Sequence, residues 1–246
     1  MPVVKYRQFG PRNPPQPIKI AVPGWAGDKS PRADGSHEQP WHCIPFSESA
    51  RYGLELLYPF ETELRVTTVD GKVKLDADWG PPLPDAGSWP PFRPFGDDYY
   101  SYQLSLDLEV PPGFAIRTEP HPRYFTDPTY TTPLAVPALI RSDWWPMTFF
   151  SIFRSPPPGV THVFRKGEGM MAFTVLPADP DLTLEPMDPE TAAQREMRSR
   201  RLAGSRDRLA EGTKWTSDTH TIFDGTYRNL ARAARAKARQ SEMDEL

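Results

Sequence analysis

Residues 100–114 read YSYQLSLDLEVPPGF, a strand, a turn and the start of a second strand. Tyr102, Leu104, Leu106, Leu108 and Val110 alternate with Gln103, Ser105, Asp107 and Glu109. A period of two with one polar face is the pattern of a half-buried antiparallel strand. Pro111-Pro112-Gly113 closes it with a type II turn, Pro112 preset for the second position and Gly113 for the third. Phe114 to Thr118 then returns as the next strand.

Outward from this turn, the block from about Tyr100 to Leu176 reads as an antiparallel β core. Further strands are expected at Ala135–Ile140, Met147–Phe153 and Met170–Leu176, with Lys166-Gly167-Glu168-Gly169 turning into the last. Upstream, Asp70-Gly71 supplies the positive φ angles of a type I′ hairpin. That turn sets Thr68 opposite Val73, Val66 opposite Leu75 and Leu64 opposite Ala77 on one face, and Arg65 opposite Asp76 as an ion pair on the other. Pro81–Gly96, with Trp89, Phe92 and Phe95, is too rich in proline for a central strand and reads as a loop.

Proline marks the main boundary. Thirty of the 31 prolines lie at or before Pro186, and only Pro189 lies beyond it. Residues 1–186 carry 17 basic and 22 acidic side chains, whereas 187–246 carry 12 and 10 and consist largely of helix formers. The division expected is a Pro-rich mainly-β domain over 1–186 and a helical extension over 187–246. Asp188-Pro189 is an N-cap followed by proline at N1. The first helix is expected to end near Glu211 with an interruption at Gly204. A second, from about Thr226 to Gln240, aligns Arg228, Arg232, Arg235 and Arg239, and Ser241–Leu246 reads as frayed.

The bulk numbers exclude several classes. Aromatic residues make up 12% of the 246, too many for a disordered chain. A net charge of −3 argues against a whole-protein field for nucleic acid or an anionic membrane. The single cysteine, Cys43, forms no internal disulfide, which favours a reducing, cytoplasmic location. The first ten residues lack an apolar core, so no signal peptide is expected, and the longest apolar stretch, Trp144–Phe153, is too short to span a bilayer.

The order of motifs in residues 104–176 carries a resemblance. Val110-Pro-Pro-Gly-Phe114, a strand and a loop, Leu139-Ile-Arg-Ser-Asp-Trp144, then Phe164-Arg-Lys-Gly-Glu168 and a closing strand resemble the β-clip core of the dUTPase and dCTP deaminase superfamily. That resemblance implies a β-clip or a related sandwich, and a homo-oligomer, a trimer first, since relatives with this core are often trimers. The superfamily's substrate-ordering Asp is replaced by Arg141, its Tyr by Trp144, and its Arg-Ser-Gly loop is absent between Thr118 and Ala135. The chain also resembles a bacterial family of uncharacterised proteins, through Cys43–Glu55, Pro111–Gly113, Ser142–Trp144, the Lys166–Glu168 turn and a tail with Trp215 and Gly225. That family brings no assigned substrate or cofactor.

Candidate sites are few, and no catalytic residue or cofactor is indicated. His37, His42 and Cys43 are zinc-ligand types, but their spacing matches no common zinc pattern. They read as ordinary histidines and a thiol, as do the scattered His121, His162 and His220, and no metal is expected. The strongest cluster is Arg117, His121, Arg123, Tyr124, Arg141, Asp143 and Trp144, where guanidinium groups beside aromatic faces suit a small planar anion. The competing reading is that Arg117 and Arg141 face solvent. The tail stripe reads as a solvated helix face before it reads as a nucleic-acid contact. Three functions follow: an anion-binding protein or tailoring enzyme using Arg117, Arg141 and Trp144; a non-catalytic interaction or assembly protein; and, third, a rebuilt nucleotide hydrolase or deaminase.

Overall fold

In the computed structural model, which describes residues 3–9, 13–20, 44–79, 90–104, 106–125, 127, 129–148, 150–216, 220 and 222–244, Asp70 and Gly71 take φ of 51° and 72°. The hairpin register follows: Thr68 pairs with Val73, Val66 with Leu75 and Arg65 with Asp76. The ladder ends there, one pair short of Leu64 and Ala77. Arg65 does not use Asp76 as its counter-ion; its guanidinium lies 2.8 Å from Glu63, whose other oxygen takes Arg165 at 2.9 Å. An exposed carboxylate already shared between two arginines competes well against one reached only across the ladder.

The chain divides into two units, Met1–Val22 with Ala50–Pro180, and Pro23–Ser49 with Asp181–Leu246. In the first unit the strands are β1 Lys5–Gln8, β2 Gln16–Pro17, β3 Leu54–Leu57, β4 Leu64–Val69, β5 Lys72–Asp76, β6 Phe92–Pro94 and β7 Tyr99–Gln103. They continue with β8 Leu106–Glu109, β9 Phe114–Pro120, β10 Ala138–Ile140, β11 Phe150–Arg154, β12 His162–Phe164 and β13 Gly169–Pro177. These form four antiparallel sheets, in the orders β1-β8, β10-β9-β13-β3-β2, β11-β7-β6 and β12-β4-β5. The protein is mainly β, and none of the sheets closes into a barrel among the described residues.

The continuous strand expected over Tyr102–Val110 is two strands. β7 pairs with β6 and β11, whereas β8 pairs with β1. Alternation survives the break: Tyr100, Tyr102, Leu104, Leu106, Leu108 and Val110 are all buried. A chain that changes sheets at a corner keeps the same side chains facing inward. The Pro-Pro-Gly turn forms as expected, with Gly113 at φ 81° and the Phe114 N–H donating to the Pro111 carbonyl at 3.1 Å. Within the stretch expected as a loop, Phe92–Pro94 is an edge strand, where a proline can be accommodated. Ala135 makes an isolated bridge to Phe153 and β10 begins only at Ala138. Trp89 lies outside the described residues.

The core draws on all four sheets, with an aromatic group at its centre. The Phe92 ring stacks on Tyr102 at 4.6 Å and meets Phe164 edge-on at 5.1 Å, with Trp79 parallel at 5.9 Å on its other side. Phe153 stacks on Tyr100 at 5.2 Å and touches Phe164 edge-on at 5.5 Å. Such pairs add to the gain from burying the rings.

In the second unit, helix α1 is Ile44–Ser49, α2 Pro189–Gly204, α3 Arg206–Leu209 and α4 Thr226–Asp244, with the short pair β14 Trp215–Thr216 and β15 Ile222–Phe223 before α4. The Asp188 carboxylate accepts the Glu190 and Thr191 N–H groups at 3.0 and 2.9 Å, as its N-cap role requires. α2 stops at Gly204, where the Ser205 N–H turns to the Arg201 and Leu202 carbonyls. α4 runs on to Asp244, beyond the expected end, because Ser241–Asp244 contains no breaker. From the arginine stripe, Arg235 pairs with Glu48 of α1. No described helix is long and apolar enough to cross a membrane.

Truncating Phe92 to Ala removes the ring on which four others pack. The expected loss is about 3–5 kcal/mol, read as a lower denaturant midpoint with an unchanged slope.

Candidate functional site

Strand β9 sets the geometry. β10 runs antiparallel to it, with Ile140 opposite Ile116 and Ala138 opposite Thr118. Arg141 therefore emerges beside the start of β9, while His121 and Arg123 follow its end, about 20 Å away at the rise of an extended chain. The seven expected site residues fall into two groups, with Arg117 between them.

At the first end, Arg141 reaches Asp143 at 3.4 Å and Asp179 at 3.2 Å. Asp143 also accepts the Gly113 N–H at 3.4 Å, which ties this ion pair to the Pro-Pro-Gly turn. The hydrogen bond from Arg141 holds the Asp143 carboxyl below its usual range, and Asp143 raises the guanidinium in return. Trp144 is 64% exposed and meets Trp145 edge-on, ring centres 6.0 Å apart. Midway, Arg117 is half exposed and lies 2.9 Å from Glu119.

At the second end the groups are buried. His121 Nε2 lies 2.7 Å from Glu55 Oε2, with both side chains under 5% exposed. Nδ1 accepts the Arg123 N–H at 3.1 Å, so Nε2 carries the hydrogen that is donated to Glu55. The other Glu55 oxygen accepts from Gln16 Nε2 at 2.7 Å and the Lys19 N–H at 3.3 Å. Burial alone would raise the Glu55 carboxyl; the bonds from His121, Gln16 and Lys19 outweigh it and hold the group below its usual range. Arg123 Nε donates to the Gly169 carbonyl at 2.6 Å, and its Nη1 lies 3.3 Å from Glu168. Burial lowers this guanidinium's pKa against the opposing pull of Glu168. Tyr124 stacks on Phe125 at 4.0 Å, and its hydroxyl is raised by burial and by the charge of Glu119.

The His121 ring leaves no room beside it. A Cβ on Gly169 would sit 2.3 Å from Nε2. Both ring nitrogens are engaged and the pair is sealed, so it braces β3 against the end of β9 and offers no face to a reactant.

Two further polar sites escape sequence reading. Asp127 accepts the Thr129 and Thr132 N–H groups at 2.8 and 2.7 Å and the Thr132 hydroxyl at 2.7 Å. Burial would raise this carboxyl, but those bonds bring it down to about 2. Tyr100 and His162 meet in the core at 2.9 Å. Burial holds the Tyr100 hydroxyl well above its usual range, so it stays protonated beside His162 Nδ1. Burial also lowers His162 to about 4, leaving it neutral at pH 7. The D-x-T-x-T-T pattern from Asp127 is a local signal for the first site; the second joins residues 62 positions apart and has none.

Among the described residues, no group of three His, Cys, Asp or Glu side chains could hold a metal ion. His37, His42 and Cys43 lie outside the described residues. No protein-family model matches the chain, and no curated protein matches it at a significant level.

Replacing His121 by Ala leaves the Glu55 carboxylate buried beside an empty space and the Arg123 N–H unpaired. The expected loss is roughly 3 kcal/mol in denaturant unfolding. His162 sets an acid limb. Its folded pKa of about 4 lies below the usual 6.5, so its contribution is complete above 6.5 and is lost as the pH falls toward 4, where the unfolded chain takes the proton first. Unfolding free energy should therefore slope downward through that window, and His162→Phe should flatten the slope.

Proposed function

We propose that the first unit is a non-catalytic assembly module that meets a second copy of this chain along β10 and the surface flanking it. One observation carries the reading. Every arginine expected to hold an anion is matched within the chain by carboxylates or a carbonyl, while the residues around them expose apolar side chains. Leu134, Val136, Leu139, Trp144, Trp145, Met147 and Phe150 are each at least 38% exposed within seventeen positions. Single exposed apolar residues are ordinary, but a concentration like this marks a contact surface.

The partner follows from the strand. β10 is an edge strand of Ala138, Leu139 and Ile140, with no charge, and no described strand pairs with its outer side. An uncharged open edge is a template for strand pairing, and antiparallel pairing about a two-fold sets Leu139 opposite its own copy. An anion-binding reading finds less support, because a ligand at Arg141 would have to displace both Asp143 and Asp179.

Hydrogen exchange over a roughly 100-fold range of protein concentration tests this. The 138–140 amides should gain protection as concentration rises, and Leu139→Lys should abolish the gain. Protection that ignores concentration would overturn the proposal, as would a trimer in light scattering, whose three-fold symmetry does not allow two β10 edges to meet.

A further inference from the structure

The segment from Asp179 to Arg200 is exposed at every residue. Its first part, Asp181–Asp188, has no regular secondary structure and carries Leu182, Leu184 and Met187 at 82%, 97% and 54% exposure. Asp181 and Glu185 lie among them. Its second part is α2, sixteen residues with none buried. A helix in a protein normally owes most of its stability to a packed face.

That face can be identified. Arg198 and Arg201, three apart, share one side of the helix with Gln194, Met197 and Leu202, and Arg195 borders that side next to Arg198 and Leu202. Met197 is 59% exposed. Arg200 is matched by Glu196 at 2.7 Å, but Arg195, Arg198 and Arg201 have no carboxylate partner among the described residues. An acidic, leucine-bearing arm thus adjoins a basic, methionine-bearing helix, and neither covers the other.

We infer that the two exchange between copies: residues 181–188 of one chain lie along α2 of a second, and the reverse, about a two-fold axis. Asp181 and Glu185 meet the arginines, and Leu182, Leu184 and Met187 cover Met197 and Leu202. The lengths agree, since eight extended residues span about 26 Å and sixteen helical ones about 24 Å. Within one chain the arm would have to double back at Asp188. That residue is extended, at φ −62° and ψ 158°, and its carboxylate is fixed on the α2 N-terminus. A nucleic-acid strand would use the arginines but leave Met197 and Leu202 without a role. The contact uses residues separate from β10 and needs nothing from the β10 proposal.

The test is made on the full chain carrying Leu139→Lys, which removes the β10 contact, by light scattering and sedimentation. This chain should still dimerise, less tightly as salt rises. Reversing the helix (Arg195→Glu, Arg198→Glu, Arg201→Glu) or the arm (Asp181→Lys, Glu185→Lys) should weaken the dimer at least about tenfold. Mixing the two variants, or combining all five changes in one chain, should restore it, which excludes misfolding as the cause. A monomer at all concentrations, or a dimer indifferent to reversal, would overturn the inference. So would restoration of helix stability without any change in mass, which would mean that the arm covers its own helix. Capture of a single-stranded oligonucleotide that the helix reversal abolishes, with mass unaffected, would assign the face to nucleic acid instead.

Discussion

A single line of inward-facing side chains, Tyr100 to Val110, runs through two sheets, and the packing of the first unit depends on it. Three of the four sheets are small, two of three strands and one of two, and they gain from sharing an interior with the five-stranded sheet. By passing from the β6-β7-β11 sheet to the β1-β8 sheet without losing alternation, the chain gives them one interior. Phe92, Phe153 and Phe164 then fill that interior from three different strands. With 38% apolar residues in the whole chain, concentrating them in one cluster is what allows so many short elements to coexist.

Features set by neighbouring residues were legible in the sequence. The Asp70-Gly71 hairpin, the Pro-Pro-Gly turn and the Asp188 cap each depend on a few adjacent positions with narrow backbone requirements. The break between β7 and β8 was not legible, because inward alternation is what survives a change of sheet. β12 is three buried residues, His162–Phe164, too short to show any period. Mainly-β architecture could be read; the assignment of strands to four sheets could not.

The candidate site was legible as a set of residue types and not as a place. Arg117 and Arg141 each have an acid two residues on; Glu119 shares a face with Arg117 in the extended β9, whereas Asp143 comes back to Arg141 through a turn. The spacing is visible in the sequence, but it is the fold that closes these ion pairs. His121 groups by sequence with Arg117 and Arg141, yet its partner is Glu55, 66 positions away on another strand. Buried pairs joined only by the fold leave no periodic trace.

Gly169 stands where it does because an imidazole occupies the space its side chain would need. The restriction belongs to the pair: with His at 121, position 169 is closed to the other nineteen amino acids, and with a smaller residue at 121 it reopens. Substitution at either position is therefore conditional on the other. Among descendants of this chain, the two should change in order, position 121 first, leaving a correlated pair as the evolutionary trace of a contact made in the core.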